Sequence, residues 1–346
     1  MTALHPLARL GDGRILLEGP VIEMETQRLA SLLRESGCRV LATLADNGPE
    51  WVIADLAAAR AGVVHVPLPV FFTPAQIGHA LQAAGVDAVL AAPDAARALP
   101  PVPQHALEVA GATLMMARLP ARAVPMPPGT AKITFTSGTT GQPKGVCLTA
   151  SAMDAVAQGL VQALAPLGIE RHLCALPLAV LLENIAGVMA PLAHGAACIV
   201  PPLGEVGLTG SSGFDPGMFH QAVLRHQPGS LILLPQMLRA WTLWLNHHGE
   251  RAPDCLRIVA VGGAAVGVGT LQAAHAAGIP ACEGYGLSEG ASVQTLNLPG
   301  AQCPGSAGRP LPHARLRVSA QGEIEVAGAL FAGYLGSDVP VPEWWP

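Results

Sequence analysis

An apolar, β-branched run ending at Phe135 breaks into Thr136-Ser-Gly-Thr-Thr-Gly-Gln-Pro-Lys-Gly145, and this junction constrains the chain more than anything else in it. The run reads as a buried strand. The segment after it gathers four hydroxyls and three glycines around one lysine. Gly138, Gly141 and Gly145 let backbone N–H groups approach an anion closely, Thr136, Ser137, Thr139 and Thr140 add O–H donors, and Lys144 brings compensating charge. That is the chemistry of a phosphate cradle at the end of a strand, where open α/β sheets bind ligands. It is not a Walker A loop. Pro143 precedes Lys144 and Gly145 follows it, so the hydroxyl that would meet Mg2+ directly after the lysine is missing.

The rest of the chain alternates strand and helix patterns. Helical periodicity at 25–35 ends at Gly37, 39–44 is a short apolar strand, and 50–61 reads as an amphipathic helix stopped by Gly62. Strands are expected at 63–68 and 86–91, with a helix at 74–84 between them. Proline-rich stretches at 99–103 and 120–128 bracket a connector. A second series begins at 133, with helices expected at 150–164, 183–193, 216–226, 235–247 and 270–277. Strands are expected at 172–176, 197–200, 231–234 and 258–261. This alternation predicts an α/β fold of two stacked, mostly parallel subdomains with helices on both faces. After Pro310 the pattern shifts to short strands at 314–318 and 323–326, a small β-barrel-like subdomain. The expected division is 1–130, 131–304 and 305–346.

Composition excludes several functions. Half of the 346 residues (51%) are hydrophobic, enough for a substantial core, and only 12% are charged. A net charge of -5 without a Lys/Arg cluster argues against a nucleic-acid surface, and 4% aromatics leave no stacking platform. The longest apolar stretch, 185–200, holds Pro191 and His194 and is shorter than the ~20 residues of a membrane span. The first residues lack a signal-peptide pattern, so the cytoplasm is the default location. Seven cysteines without a C-x-x-C spacing read as reduced, buried thiols, and twelve scattered histidines offer no metal site from protein ligands alone.

The ordered string at 136–145 resembles the signature loop of the adenylate-forming superfamily, which includes acyl-CoA synthetases, luciferases and peptide-synthetase adenylation domains. Partner motifs occur in the family's order. Glu283-Gly-Tyr-Gly-Leu-Ser-Glu289 resembles that family's Tyr-Gly-x-Thr-Glu, with Ser288 in place of Thr. Val261-Gly-Gly-Ala264 resembles its adenine-stacking turn, and Gly305-Ser-Ala-Gly-Arg-Pro310 its Gly-Ser-x-Gly-x-Pro segment. Gly322 to Gly328 and Gly333-Tyr334 resemble the strands closing its large domain; Asp46 to Trp51 and Thr73-Pro74 also sit where the family places them.

The resemblance implies ATP-dependent activation of a small-molecule carboxylic acid to an acyl-adenylate, then thioester formation on coenzyme A. By that resemblance Thr136, Ser137, Gly138, Thr139, Thr140, Gly141 and Lys144 cradle the phosphates, Ser288 meets the α-phosphate, and Glu289 holds Mg2+; Thr136, Lys144, Ser288 and Glu289 carry the catalysis. Gly263, Ala264 and Ala265 with Glu283, Gly284, Tyr285 and Gly286 form the nucleotide slot. Val180, Leu181, Asn184, Gly262 and Gly286 border the acid. Val180 stands where the family usually has a ring. The Pro177-Leu-x-x-x-x-Glu183 arrangement is similar to the long-chain acyl-CoA synthetase branch, and Leu178, Leu181, Leu182, Leu233, Leu234 and Met237 suit an apolar tunnel as well as a core. A fatty or other apolar acid is therefore expected. The acceptor could instead be phosphopantetheine on an acyl carrier protein, or the chain could be a non-catalytic nucleotide- or adenylate-binding module. Relatives continue past Gly333-Tyr334 with a ribose-binding Asp, a hinge and a lid domain bearing a second lysine. Against that pattern the chain reads as truncated before the lid, of low activity alone, with Trp344 and Trp345 wanting partners from a fuller fold.

Overall fold

Among the residues described in the computed structural model (4–120, 122–136, 143–210 and 213–346), the strands form two large mixed sheets. The first runs, edge to edge, Gly333–Tyr334, Lys144–Thr149, Thr130–Thr136, Val64–Pro67, Val40–Leu44, Ala88–Ala91, Ala112–Arg118, Gln104–Val109. Its centre is parallel and both edges are antiparallel. The second runs Arg309–Pro310, Ser292–Leu296, Ala281–Leu287, Ile258–Val261, Ser230–Leu233, Arg171–Leu173, Ala197–Ile199, Arg9–Gly11, Leu16–Glu18, and is parallel from Ala281–Leu287 through Arg9–Gly11. Sheet membership does not follow the expected division at 130/131. The strand Thr130–Thr136 belongs to the first sheet, and the N-terminal pair 9–18 completes the second.

Several elements differ from expectation for identifiable reasons. The helix Pro49–Ala61, stopped by Gly62 at φ 71°, is not amphipathic. Trp51, Val52, Ile53, Ala54, Ala57 and Ala58 are all fully buried, because the helix lies between the sheets and packs on Leu29 and Leu33 as well as on Leu178 and Cys198. The proline-flanked connector contains a hairpin, Gln104–Val109 with Ala112–Arg118, turning at Ala110 (φ 51°) and Gly111 (φ 83°). Two positive φ values make the kind of tight turn that suits hairpins, and Ala-Gly hides it where Asn-Gly would announce it. Lys144–Thr149 returns antiparallel to Thr130–Thr136, with Thr136 paired to Lys144.

The helix expected at 183–193 is a π-helix over Glu183–Met189, continuing as an α-helix over Ala190–His194. Pro191 has no N–H to offer the Gly187 carbonyl, and an α-helical turn there would clash with it. The wider winding relieves this. The Gly187 carbonyl instead accepts from the Cys198 thiol at 3.1 Å and the Cys174 thiol at 3.4 Å. At the end of the chain, Ala314–Val318 and Ile324–Gly328 form a two-stranded hairpin to which Trp345 adds a bridge at Val326. The two tryptophans find partners within the chain: Trp345 lies 4.7 Å from the Phe331 ring and Trp344 stacks under Arg317 at 4.3 Å. Of the cysteines, Cys255 is half-buried and Cys303 exposed; the other five are buried.

Candidate active site

A cavity of about 560 Å3 opens between one face of the second sheet, the helix Ala150–Leu164, the π-helix and the end of Thr130–Thr136. The first sheet supplies Thr134, Phe135 and Thr136 to its rim, and the second supplies Gly262, Gly263 and the run from Gly284 to Ser288. The expected residues Thr136, Val180, Leu181, Gly262, Gly263, Gly284, Tyr285, Gly286 and Ser288 are thus brought to one opening. Ser137, Gly138, Thr139, Thr140 and Gly141 lie outside the described residues.

Local structure fixes this wall. Tyr285-Gly286 carries a bulge in the antiparallel pairing with Ser292–Leu296, and the return is made by Ala291 (φ 52°) and Ser292 (φ 104°). A Cβ on Gly286 would lie 2.2 Å from the Ser292 carbonyl oxygen, so only glycine lets the strands approach here. On the facing wall, Asn47 accepts from Leu178 N–H (2.8 Å) and donates to the Leu176 carbonyl (2.9 Å), pinning the Pro177 turn that delivers Val180 and Leu181. The first sheet's loop thereby holds this wall of the cavity in place.

Other expected residues sit elsewhere. Ala264 and Ala265 are exposed beyond the rim, and Glu283 accepts from Val266 N–H at 2.9 Å, holding the glycine turn. Asn184 is not among the residues lining the cavity. It is 1% exposed and donates to Asp55 at 2.8 Å while accepting from Lys132, inside a buried cluster. Of the six candidate tunnel residues, Leu181 and Leu182 line the cavity; Leu178, Leu233 and Met237 are core, and Leu234 packs at the core's margin.

Glu289 meets a residue that sequence reasoning left without a role. The Tyr334 hydroxyl donates to Glu289 Oε1 at 2.7 Å, and the Lys144 ammonium stands 5.6 Å over the Tyr334 ring. Burial first, then the Glu289 carboxylate, pushes the Tyr334 phenol up to about 12; the same two causes raise Tyr285. Tyr334 therefore stays a donor and orients Glu289. Tyr334→Phe is expected to cost the fold up to about 1.5–3 kcal/mol, the net worth of a hydrogen bond to a charged group, and to lower nucleotide affinity because Glu289 loses the donor that fixes it. Titration calorimetry against ATP with Mg2+ checks this, and equal affinities would remove Tyr334 from the site. Its only sequence signal is an aromatic after Gly333.

Three polar residues that the sequence did not single out, His172, Ser230 and Ser292, also line the cavity. His172 bonds Ser230 at 2.8 Å and Glu183 at 3.0 Å, and Ser292 has a buried hydroxyl without a protein partner among the described residues. His172, Cys174 and Glu183 also bring potential metal-ligand atoms within 4.8 Å of one another. Burial raises the Cys174 thiol well above its ordinary value, however, and it is used as a donor to Gly187. No described helix is long and apolar enough to cross a membrane.

Comparison with known proteins shows what the chain is similar to. Over 216 residues the chain is 33% identical to a Mycobacterium tuberculosis protein named "Probable 2-succinylbenzoate--CoA ligase", covering 61% of this chain and 50% of the relative. It is 27% identical over 344 residues to a fatty acid–[acyl-carrier-protein] ligase of Mycobacterium marinum, covering 92% of this chain and 62% of that protein. The chain thus spans about half the length of the first of these relatives. Among solved structures, o-succinylbenzoate CoA synthetase from Bacillus subtilis with its acyl-adenylate intermediate matches the fold with a TM-score of 0.76, at 21% identity over 97% of this chain and 71% of that one. The family described as AMP-binding enzyme matches residues 22–335, and the chain belongs to it.

Proposed function

We propose that the protein activates a carboxylic acid with ATP to an acyl-adenylate, whose acyl carbon a thiol sulfur then attacks, with loss of the thiol proton, breakage of the bond to the phosphate oxygen and release of AMP. The observation that carries this reading is an apolar cavity whose rim is built from Thr136 and Ser288, with Lys144 and Glu289 linked through Tyr334 beside it. An acid seated in the cavity directs its carboxylate at the rim. One carboxylate oxygen attacks the α-phosphorus of ATP, the bond to pyrophosphate breaks, and the electron pair leaves with the pyrophosphate. Two anions must meet for this. Thr136 and Ser288 offer hydroxyl donors and Lys144 a positive charge, set in place before the reaction and hence effective against the charge that develops. Glu289 offers one hard carboxylate whose position the Tyr334 hydroxyl already fixes, which suits Mg2+, an ion held by one or two carboxylates plus phosphates and waters. Bound there, Mg2+ would neutralise phosphate charge.

The walls favour an apolar monoacid. About 560 Å3 lies within the range of small-molecule sites. No Lys or Arg lines the cavity among the described residues, so a second carboxylate of the succinylbenzoate or malonate kind would be buried without a counter-charge. A fatty acid is one such monoacid, in keeping with the long-chain-like Pro177 to Glu183 segment and the carrier-protein ligase relative. An apolar aryl acid is another, since a feruloyl-CoA synthase of Amycolatopsis is 29% identical over 343 residues. Coenzyme A and a carrier's phosphopantetheine both remain in this reading as the accepting thiol.

Pyrophosphate exchange with a panel of acids tests it. Exchange is expected to depend on an apolar monoacid, with affinity rising by up to ~0.8 kcal/mol for each methylene that the cavity buries. A flat response from short to medium chains would rule out the aliphatic assignment. Binding of ATP without exchange for any acid would identify a non-catalytic nucleotide-binding module instead.

A further inference from the structure

The floor of the cavity is polar, and its hydrogen bonds have a direction. Ser230 and His172 are register partners on adjacent parallel strands, 6% and 3% exposed, and both face the cavity. Glu183, fully buried on the π-helix, accepts the Leu176 N–H on Oε2 (3.1 Å) and meets His172 Nε2 with Oε1 (3.0 Å). Taken as a neutral imidazole beside an accepting carboxylate, His172 carries its proton on Nε2 and offers Nδ1 as an acceptor. The Ser230 hydroxyl, 2.8 Å from Nδ1, must then donate to it. With its one proton spent, Ser230 Oγ presents lone pairs alone to the cavity. Among the described residues no second donor reaches it.

The floor lies well below the reaction centre. Ser230 is level with Ile258 in the sheet, and the rim residue Gly262 is four positions further along the Ile258 strand. At ~3.3 Å per residue this places Ser230 roughly 13 Å beneath the rim. The space between is walled mainly by apolar and small groups such as Ala260, Leu160, Leu164 and Ala186.

From this we infer that Ser230 is a specificity-determining acceptor: the acid carries an apolar body and, at its far end, an uncharged hydroxyl that donates to Ser230, with Glu183 and His172 as positioning residues that hold Ser230 in its accepting state. This rests on the acid-activation reading above and narrows its substrate class to hydroxylated acids. A tail carboxylate is rejected because it would set acceptor against acceptor. A tail ammonium is rejected because Glu183 is already committed to His172 and Leu176, leaving its charge unmatched.

Non-hydrolysable acyl-sulfamoyl adenosines test the inference by calorimetry. One series carries plain tails, and a matched series has a single hydroxyl walked outward along the tail. Wild-type protein is expected to show one preferred hydroxyl position, binding about tenfold tighter than the plain tail of equal length. Ser230→Ala is expected to erase that preference, so that hydroxylated and plain tails of equal length bind alike whatever the change in overall affinity, with some loss of stability because His172 Nδ1 loses its donor. If plain-tail analogues bind and hydroxyl position makes no difference, or if Ser230→Ala keeps the preference, the inference is overturned and acid activation stands. If no analogue binds at all, the acid-activation reading falls and takes this one with it.

Discussion

Asp55→Ala is expected to destabilise the fold by about 3–5 kcal/mol, because it leaves a buried lysine without its counter-charge. Lys132 is 3% exposed and lies 2.9 Å from Asp55; it also donates to Asn184. His65 adds a 2.7 Å bond to Asp55 through Nδ1 and meets Thr43 at 2.8 Å through Nε2. Burial alone would raise the Asp55 carboxyl, and Lys132 and His65 together overcome it, holding the group well below the usual carboxylate range. Burial depresses His65 against the pull of Asp55. Both groups bind protons more readily in the unfolded chain, so their contribution is present at neutral pH and lost on acidification. His65 loses its share first, below an unfolded value of about 6.5, and Asp55 follows below about 3.9. Urea unfolding at pH 7 and pH 5 checks both statements. A loss under 1 kcal/mol at pH 7, or wild-type stability that does not fall at pH 5, would refute the account. An apolar replacement of Asp55, Lys132 and Asn184 together should recover much of the loss, since well-packed apolar groups often match a buried ion pair.

Glu289→Gln is expected to slow pyrophosphate exchange by about 10²–10³, the usual effect of deleting one preorganised electrostatic contact, with the larger share of the loss at low Mg2+. The fold should survive. Glu289 is only partly buried, and a glutamine carbonyl can still accept from the Tyr334 hydroxyl. Exchange rates against Mg2+ concentration, alongside a melting curve, make the test. An unchanged rate at every Mg2+ concentration would remove Glu289 from the chemistry.

Much of this was legible because local signals agreed with the tertiary result. The helix Ala150–Leu164 begins at a threonine cap, with Thr149 Oγ1 accepting from Ala152 N–H at 3.1 Å, and its bounds match the sequence pattern. Gly62 stops its helix in the left-handed region, as a C-terminal glycine does. Other features depend on partners distant in the chain. Nothing local marks Asn184 as the ligand of Lys132 rather than of an acid, because the π-helix that turns it inward is a response to Pro191 and to two thiols on neighbouring strands. Nor does a histidine inside an apolar strand show that its sheet face is hollow. Glycine motifs specify backbone approach and can be read from sequence; the apolar residues around an acid are indistinguishable from core until the fold decides which of them face empty space.

The second sheet has a consequence for how the chain is made. Arg9–Gly11 pairs in parallel with Ala197–Ile199, so a strand made early cannot dock until residues near 200 have been synthesised. At roughly 5–20 residues per second that is a wait on the order of ten seconds or more. During it, Leu10, buried once folded, has no sheet to join. The early helix and first-sheet strands can collapse in the meantime, but neither Thr136 nor Ser288 meets its counterpart until the later sheet closes over the N-terminal segment. Ligand binding should consequently await synthesis of the second sheet, and until then the nascent N-terminal segment is the part most in need of a chaperone.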